Sequence, residues 1–246
     1  MRYANVMRIA IVGAGGVGGL LGGLLSRAGT DVALVARGAH LAAIRADGLG
    51  IESPLGTFTA RVDASDDPRA LGPADAVLVA VKAWQVGEIA PTLAPLLAKG
   101  GVAIPLQNGV EAADRLAAAL GPERVAGGTI QVLAWVAAPG KIRHLGFTPR
   151  VTVGERGAGA ARPSARLEAV VAALRAAGVE AAVTDDIERA VWEKFLFVEP
   201  WGAVAAAARA PIGALRTLPE TPAHKGRAMD EVAARARARG VRIAPG

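Results

Sequence analysis

Between Ile9 and Ser26 the chain runs for eighteen residues without a charge, and seven of them are glycine: Gly13, Gly15, Gly16, Gly18, Gly19, Gly22 and Gly23. With Arg2 and Arg8 in front, the outline is that of a signal peptide or a membrane span. The glycines argue against both, because a residue with no side chain contributes little transfer free energy to a bilayer. A strand, a turn and a helix account for the same residues. Arg8 to Gly13 is a short apolar, β-branched run ending in glycine, and Val17 to Ala28 follows with helical spacing. No later segment approaches a span, so the sequence predicts a chain without a membrane partner. The absence of cysteine removes disulfides, thiolate metal sites and cysteine nucleophiles, and suits a reducing, cytoplasmic setting.

The alternation then repeats. Asp31 to Ala36 reads as a second strand, Ala39 to Asp47 as a helix, Ala76 to Val81 as a strand, Val86 to Leu97 as a helix, Val102 to Leu106 as a strand and Glu111 to Leu120 as a helix. This predicts an α/β fold with a Rossmann-type doubly wound sheet. Leu49 to Asp63, around Pro54 and Gly56, reads as a hairpin or irregular excursion. From Thr129 the chain turns β-rich (Thr129 to Val136, Lys141 to Leu145, Arg150 to Gly154), broken by Pro139-Gly140 and Pro149, which predicts a largely antiparallel extension of the sheet. Ser164 to Ala177 is a helix and Glu180 to Thr184 a last strand; beyond them the pattern is helical, with Asp185 as N-cap and Glu188 three residues on. The predicted division is therefore a Rossmann-type domain over 1–184 and a smaller all-helical domain over 185–246. A chain of 246 residues that is 52% hydrophobic can bury such cores, which excludes disorder.

Gly13-Ala14-Gly15-Gly16-Val17-Gly18 matches G-x-G-x-x-G after a strand and at the opening of a helix. The first glycine permits the turn, the second lets backbone approach a pyrophosphate, the third lets helix pack on strand, and helix amides hold the phosphates. A packing turn would show the same glycines; the strand and helix on either side favour a dinucleotide. At the end of the second strand NAD would call for an acidic residue, and Arg37 stands there instead. A guanidinium suits the 2′-phosphate of NADP, so the expected cofactor is NADPH. Lys82 and Asn108 both follow strands at their carboxyl ends, where open α/β sheets bind ligands; taken singly they would also read as a loop lysine and an Asn-Gly turn, but their shared address favours a ligand site. Lys194, in Val191-Trp-Glu-Lys194-Phe-Leu-Phe197, is either a solvated helix lysine or a proton donor facing a cleft between the domains.

The net charge of +6 would suit a polyanion, but with 4% aromatic residues and no recognition motif a nucleic-acid partner is not expected. His40, His144 and His224 lie far apart and show no metal-ligand spacing, so no metal is expected.

Taken together the motifs resemble the ketopantoate reductase (2-dehydropantoate 2-reductase) family. The matching pieces are MRIAIVGAGGVGG from Met7, LVARG with Arg37, VAVKAWQ with Lys82, LQNGV with Asn108, HLGF with His144, VWEKFLF with Lys194, and the later RAPIGALR and AMDEVAARARARGV. The likeness begins at Met7, which leaves the first six residues as an extra leader or an upstream start. The resemblance implies a two-domain NADPH-dependent reductase of a 2-oxo acid. It implies that Lys194 protonates the developing alkoxide and contacts substrate, that the glycine-rich turn, Arg37 and Lys82 bind cofactor, and that Asn108 contacts cofactor and substrate.

Two departures accompany it. Four and eight residues after the lysine the family carries asparagines that bind substrate, and here Val198 and Gly202 stand there, with Pro200 between them expected to kink or end the helix. Family members also continue into helices that carry a serine and a glutamate of the site, so the second domain is expected to be incomplete, which favours a homodimer. These departures leave two other readings in play: a non-catalytic NADP(H)-binding or sensor relative, and a reductase of a less polar oxo or imine substrate.

Overall fold

The computed structural model describes residues 7–157 and 164–243; the predicted leader, residues 1–6, lies outside them. The chain forms two compact units. One contains the residues up to Gln107 together with Glu111–Ile187, the other Asn108–Val110 together with the chain from Glu188 onward.

In the first unit, β1 (Arg8–Val12), α1 (Gly16–Arg27), β2 (Asp31–Val35) and α2 (Gly38–Asp47) follow one another. A hairpin of β3 (Leu49–Ser53) and β4 (Gly56–Ala60) precedes β5 (Asp63–Ser65), and β6 (Ala74–Val79), α3 (Val86–Ile89), β7 (Leu97–Pro105) and α4 (Ala112–Leu120) complete the winding. The strand order is β5-β2-β1-β6-β7 with every pair parallel, so the winding reverses between β1 and β6. This is the Rossmann-type α/β fold. Along β1, Ile9 and Ile11 enter one core and Ala10 and Val12 the other, which is why the strand is apolar at every position from Ile9 to Val12.

The β-rich segment does not extend this sheet. β8 (Gly127–Ala138) and β9 (Lys141–Gly154) pair antiparallel, β3 and β10 (Glu180–Val183) pair parallel with β9, and α5 (Ala165–Ala176) links β9 to β10, giving a separate second sheet. The departure point is Gly127-Gly128. The chain touches β7 in a single parallel bridge, Ala103 with Val125, and then passes so close to it that a Cβ on Gly128 would lie 2.6 Å from Ile104 and 2.7 Å from the Pro105 carbonyl.

The predicted helix over Val86 to Leu97 is also different. Only Val86–Ile89 is α-helical, and Ala90–Leu96 is a tighter 3-10 helix, because Pro91 and Pro95 have no amide hydrogen for the α ladder. Pro149 breaks the β8 ladder without ending β9: Gln131 pairs with Arg150 and Leu133 with Leu145, so Gly146–Pro149 bulge between them.

α1 is packed on both sides. Gly18 and Gly22 lie against Ile11, Ala80, Val32 and Leu34 on the parallel-sheet side, whereas Gly16, Gly19 and Gly23 lie against Ala134, Ile142 and Ile51 of the second sheet. Five glycines in a twelve-residue helix forgo on the order of 4–5 kcal/mol of helix propensity relative to alanine. The four buried leucines Leu20, Leu21, Leu24 and Leu25 offset this, at about 2 kcal/mol each.

In the second unit, α6 (Ile187–Ala208), α7 (Ile212–Leu215) and α8 (Thr221–Ala238) enclose a small cluster of Trp192, Val232 and Ala236, with Phe195, Leu196 and Val110 against it. α6 begins one residue after Asp186, so the predicted N-cap Asp185 stands a position too early. It also runs through Pro200 without ending, since proline removes one ladder bond and the turns on either side retain theirs. Among the described residues no helix is long and apolar enough to cross a membrane.

The double contact on α1 yields a stability prediction. In Gly16→Ala the new Cβ would meet the Ala134 carbonyl and sit 2.7 Å from the Trp135 Cα. Backbone cannot rotate away, so the substitution should cost about 1–3 kcal/mol in urea unfolding, despite alanine's better helix propensity.

Candidate functional site

The carboxyl ends of β1, β2 and β6 open onto a cavity of about 330 Å³ in the first unit. Its walls are the turn after β1 (Gly13, Ala14, Gly15), the turn after β2 into α2 (Ala36, Arg37, His40), the segment after β6 (Val81, Lys82, Gln85, Glu88) and Val136 of β8. This is the place where the winding reverses and a crevice between diverging crossovers must form.

The three motif glycines are glycine for different reasons. Gly13 has φ +106°, and a Cβ there would lie 2.8 Å from the Val81 amide nitrogen. Gly18 passes against the Gly13 carbonyl, where no Cβ fits. Gly15 has an ordinary extended backbone (φ −68°, ψ −167°), and a Cβ on it would meet nothing within 4 Å. Neither conformation nor packing in the protein asks for glycine there, so the open space on that side is room for something else. No side chain caps α1, which leaves its first amides without a side-chain acceptor. Arg37 and Lys82 put two cations on the same cavity. Space at Gly15 and uncapped amides fit the diphosphate of a dinucleotide, and the two cations suit a ligand that carries phosphates. Gly16 packs against β8 instead, and Val17 against the core.

His40, Gln85 and Glu88 were not singled out from the sequence, and their signal was positional: His40 falls one turn after Arg37, and Gln85 and Glu88 follow Lys82. Gln107 was missed as well. Its amide nitrogen donates to the carbonyls of Val79 (2.8 Å) and Val81 (3.1 Å), tying β6 to the end of β7, and its Oε1 is buried without a partner. His144, from the HLGF motif, is buried between Ser53 Oγ (2.8 Å) and the Phe147 carbonyl (3.0 Å), both ring nitrogens satisfied, as a structural residue.

Asn108 and Lys194 belong to the second unit. Asn108 is exposed, two residues before Val110, which packs against the same Trp192 cluster as Phe195 and Leu196, the two residues after Lys194. Lys194 lies on α6 with its Nζ buried and unpartnered, and burial lowers its pKa from 10.5 to about 8. By helical spacing Val198 and Gly202 share its face, and neither carries a side-chain hydrogen-bonding group. Among the described residues no cluster of three His, Asp or Glu side chains could hold a metal ion.

Two family models match the chain: "Ketopantoate reductase PanE/ApbA" over residues 9–158 and its C-terminal counterpart over 186–246. A 2-dehydropantoate 2-reductase from Halobacterium salinarum is 35% identical over 240 residues, 96% of this chain and 77% of the relative. The crystal structure of a PanE/ApbA family ketopantoate reductase from Ralstonia eutropha superposes with TM-score 0.86 at 36% identity, over 97% of this chain and 77% of that one. The fold, at 20% identity and TM-score 0.87, is also that of D-mandelate dehydrogenase solved with NADH and anilino(oxo)acetate, over 96% of this chain and 76% of that one.

Gly15 supplies the direct check on the cavity. Gly15→Ala should leave the thermal unfolding midpoint unchanged, since its Cβ meets nothing in the protein. It should weaken dinucleotide binding at least tenfold, because the methyl group enters the space a diphosphate needs. Fluorescence titration and a thermal melt read the two separately.

Proposed function

We propose that this chain, which belongs to the ketopantoate reductase family, reduces a 2-oxo acid to the 2-hydroxy acid with NADPH, as the name of its 2-dehydropantoate 2-reductase relatives describes. The observation that carries the reading is Lys194, a buried cation with no hydrogen-bond partner in a chain whose other unit has a cavity suited to a dinucleotide.

When bound, NADPH supplies the hydride that the substrate's carbonyl carbon accepts. The glycine-rich turn leaves room for the diphosphate, and the first amides of α1 bind it. Arg37 grips the 2′-phosphate through its forked donors, which an acidic residue at that position would repel. Lys82 adds a second positive charge to the cavity.

The proton comes from Lys194. As hydride reaches the carbon, negative charge grows on the oxygen, so an ammonium beside it binds the transition state more strongly than the ground state. With a pKa of about 8 the group is mostly protonated at neutral pH and gives up its proton more easily than an ordinary lysine. No protein acceptor competes for it. Asn108 offers a carboxamide to the substrate or the nicotinamide end of the cofactor. Val198 and Gly202 offer no hydrogen bond, so recognition of any substrate hydroxyl must come from other groups.

NADPH oxidation with a panel of 2-oxo acids tests the reading, and binding without turnover of any of them would leave a non-catalytic relative. In Lys194→Met kcat should fall by about 10²–10⁴. The same variant should be more stable at neutral pH. A folded pKa of about 8 against an ordinary 10.5 means that folding expels a proton between those values, so stability rises with pH across that window and carries the full penalty below it. Removing the charge should recover on the order of 1–3 kcal/mol at pH 7. In the unaltered protein kcat/KM should decline as pH rises through about 8. Arg37→Ala should weaken NADPH binding roughly 10- to 100-fold and leave NADH binding near its original value; equal losses for both would remove Arg37 from phosphate recognition.

A further inference from the structure

His40 sits in the first turn of α2, three residues after Arg37, and lines the cavity. Its Nδ1 accepts a hydrogen bond of 2.9 Å from the backbone N–H of Gly140, one hundred residues away in sequence. An accepting Nδ1 has no proton, so the ring is neutral and carries its hydrogen on Nε2. Nε2 is buried on the side of the Ala14 carbonyl, in the glycine-rich turn, and no closer acceptor satisfies it. Gly140 lies in the turn between β8 and β9 with φ +74°, pressed so close to α2 that a Cβ on it would come within 2.9 Å of the Ala43 side chain, and its carbonyl accepts from Gly50 of β3 at 2.8 Å. Val136, four residues earlier on β8, lines the cavity. One imidazole therefore touches or faces three of the segments that wall it: the glycine-rich turn, the turn bearing Arg37, and the β8–β9 hairpin.

We infer that His40 is a positioning residue of the cofactor site, which as a neutral acceptor pins the β8–β9 turn, and with it the Val136 wall, to the turn that presents Arg37. The inference rests on the dinucleotide reading of the cavity. It gives cofactor binding a pH dependence of its own. A protonated ring has an N–H on both nitrogens, so Nδ1–H would confront the Gly140 N–H, donor against donor, and the pin would be lost. Arg37 from the same helix and Lys82 and Glu88 from the segment after β6 share its cavity, and Lys141 follows Gly140 on β9. Burial holds the His40 pKa below its usual value, against a smaller pull from the Ala14 carbonyl.

Two substitutions separate pinning from bulk. His40→Asn places a carboxamide oxygen near the position of Nδ1 and keeps an acceptor for Gly140; His40→Leu fills similar space without one. NADPH affinity is measured by calorimetry, without substrate, at pH 7.5 and 5.5, beside thermal melts. The Leu variant should bind roughly tenfold more weakly at the higher pH, and the Asn variant within about threefold of the unaltered protein. On acidification the unaltered protein should lose more affinity than the Asn variant, because titration of the 2′-phosphate is common to both and titration of His40 is not. Leu binding as tightly as the unaltered protein, Asn losing as much as Leu, or identical pH profiles would each overturn the inference. If the Leu variant does not fold, the pH comparison between the unaltered protein and Asn still decides it. An unaltered protein that binds NADPH normally while the variants show none of these differences refutes the His40 role alone; one that binds no nicotinamide dinucleotide refutes the functional reading with it.

Discussion

The close passage of α1 between two sheets is the constraint on which the first unit depends. A helix in a doubly wound fold ordinarily packs one face on the sheet and turns the other to solvent. Here the outward face meets a second sheet, and the contact at Gly16 is with the backbone of β8 rather than with side chains. Only glycine allows that approach, and the glycines recur at positions 16, 19 and 23, the three- and four-residue spacing of one helical face. The opposite face uses Gly18 and Gly22 against β1, β2 and Ala80. The helix is thus fixed from both sides, and with it the uncapped amino end that opens on the cavity.

A second consequence concerns the cavity's outer wall. Because β8 lies directly on α1, its far end reaches the carboxyl edge of the parallel sheet and contributes Val136. The turn that follows is secured at its tip by contacts with α2 and β3. A site built by the parallel sheet alone would be an open crevice; the second sheet gives it a further side. The hairpin also leaves Leu133, Trp135, Leu145 and Phe147 exposed along its length, an apolar surface out of keeping with its otherwise well-packed root.

Lys194 runs against stability, because it is held as a buried ammonium without a partner. Groups arranged for a ligand or a transition state are unsatisfied in its absence, and the remainder of the fold has to supply the difference. The first unit has two extensive cores, one on either face of the parallel sheet, and the helical unit has a much smaller buried cluster around Trp192.

The parallel winding, the glycine-rich turn and the change to an all-helical unit were legible in the sequence, because each is encoded by neighbours along the chain: β-branched runs, helical spacing, a glycine pattern at a strand end. That Arg37 and Lys82 border the cavity follows for the same reason, since the end of a strand is a local address. What the sequence could not determine was anything set by distant partners. Gly16, Gly19 and Gly23 carry a helical period, but nothing local says that a second sheet, rather than solvent or a ligand, lies opposite. Whether the β-rich segment joins the first sheet or leaves it turns on the room available at Gly128 beside β7. His40 resembles any polar residue on a short helix until Gly140 is brought to it across a hundred residues. Tertiary structure decided these points because burial and hydrogen-bond partnership are properties of what the rest of the chain brings near a residue, and a linear pattern records only one side of each contact.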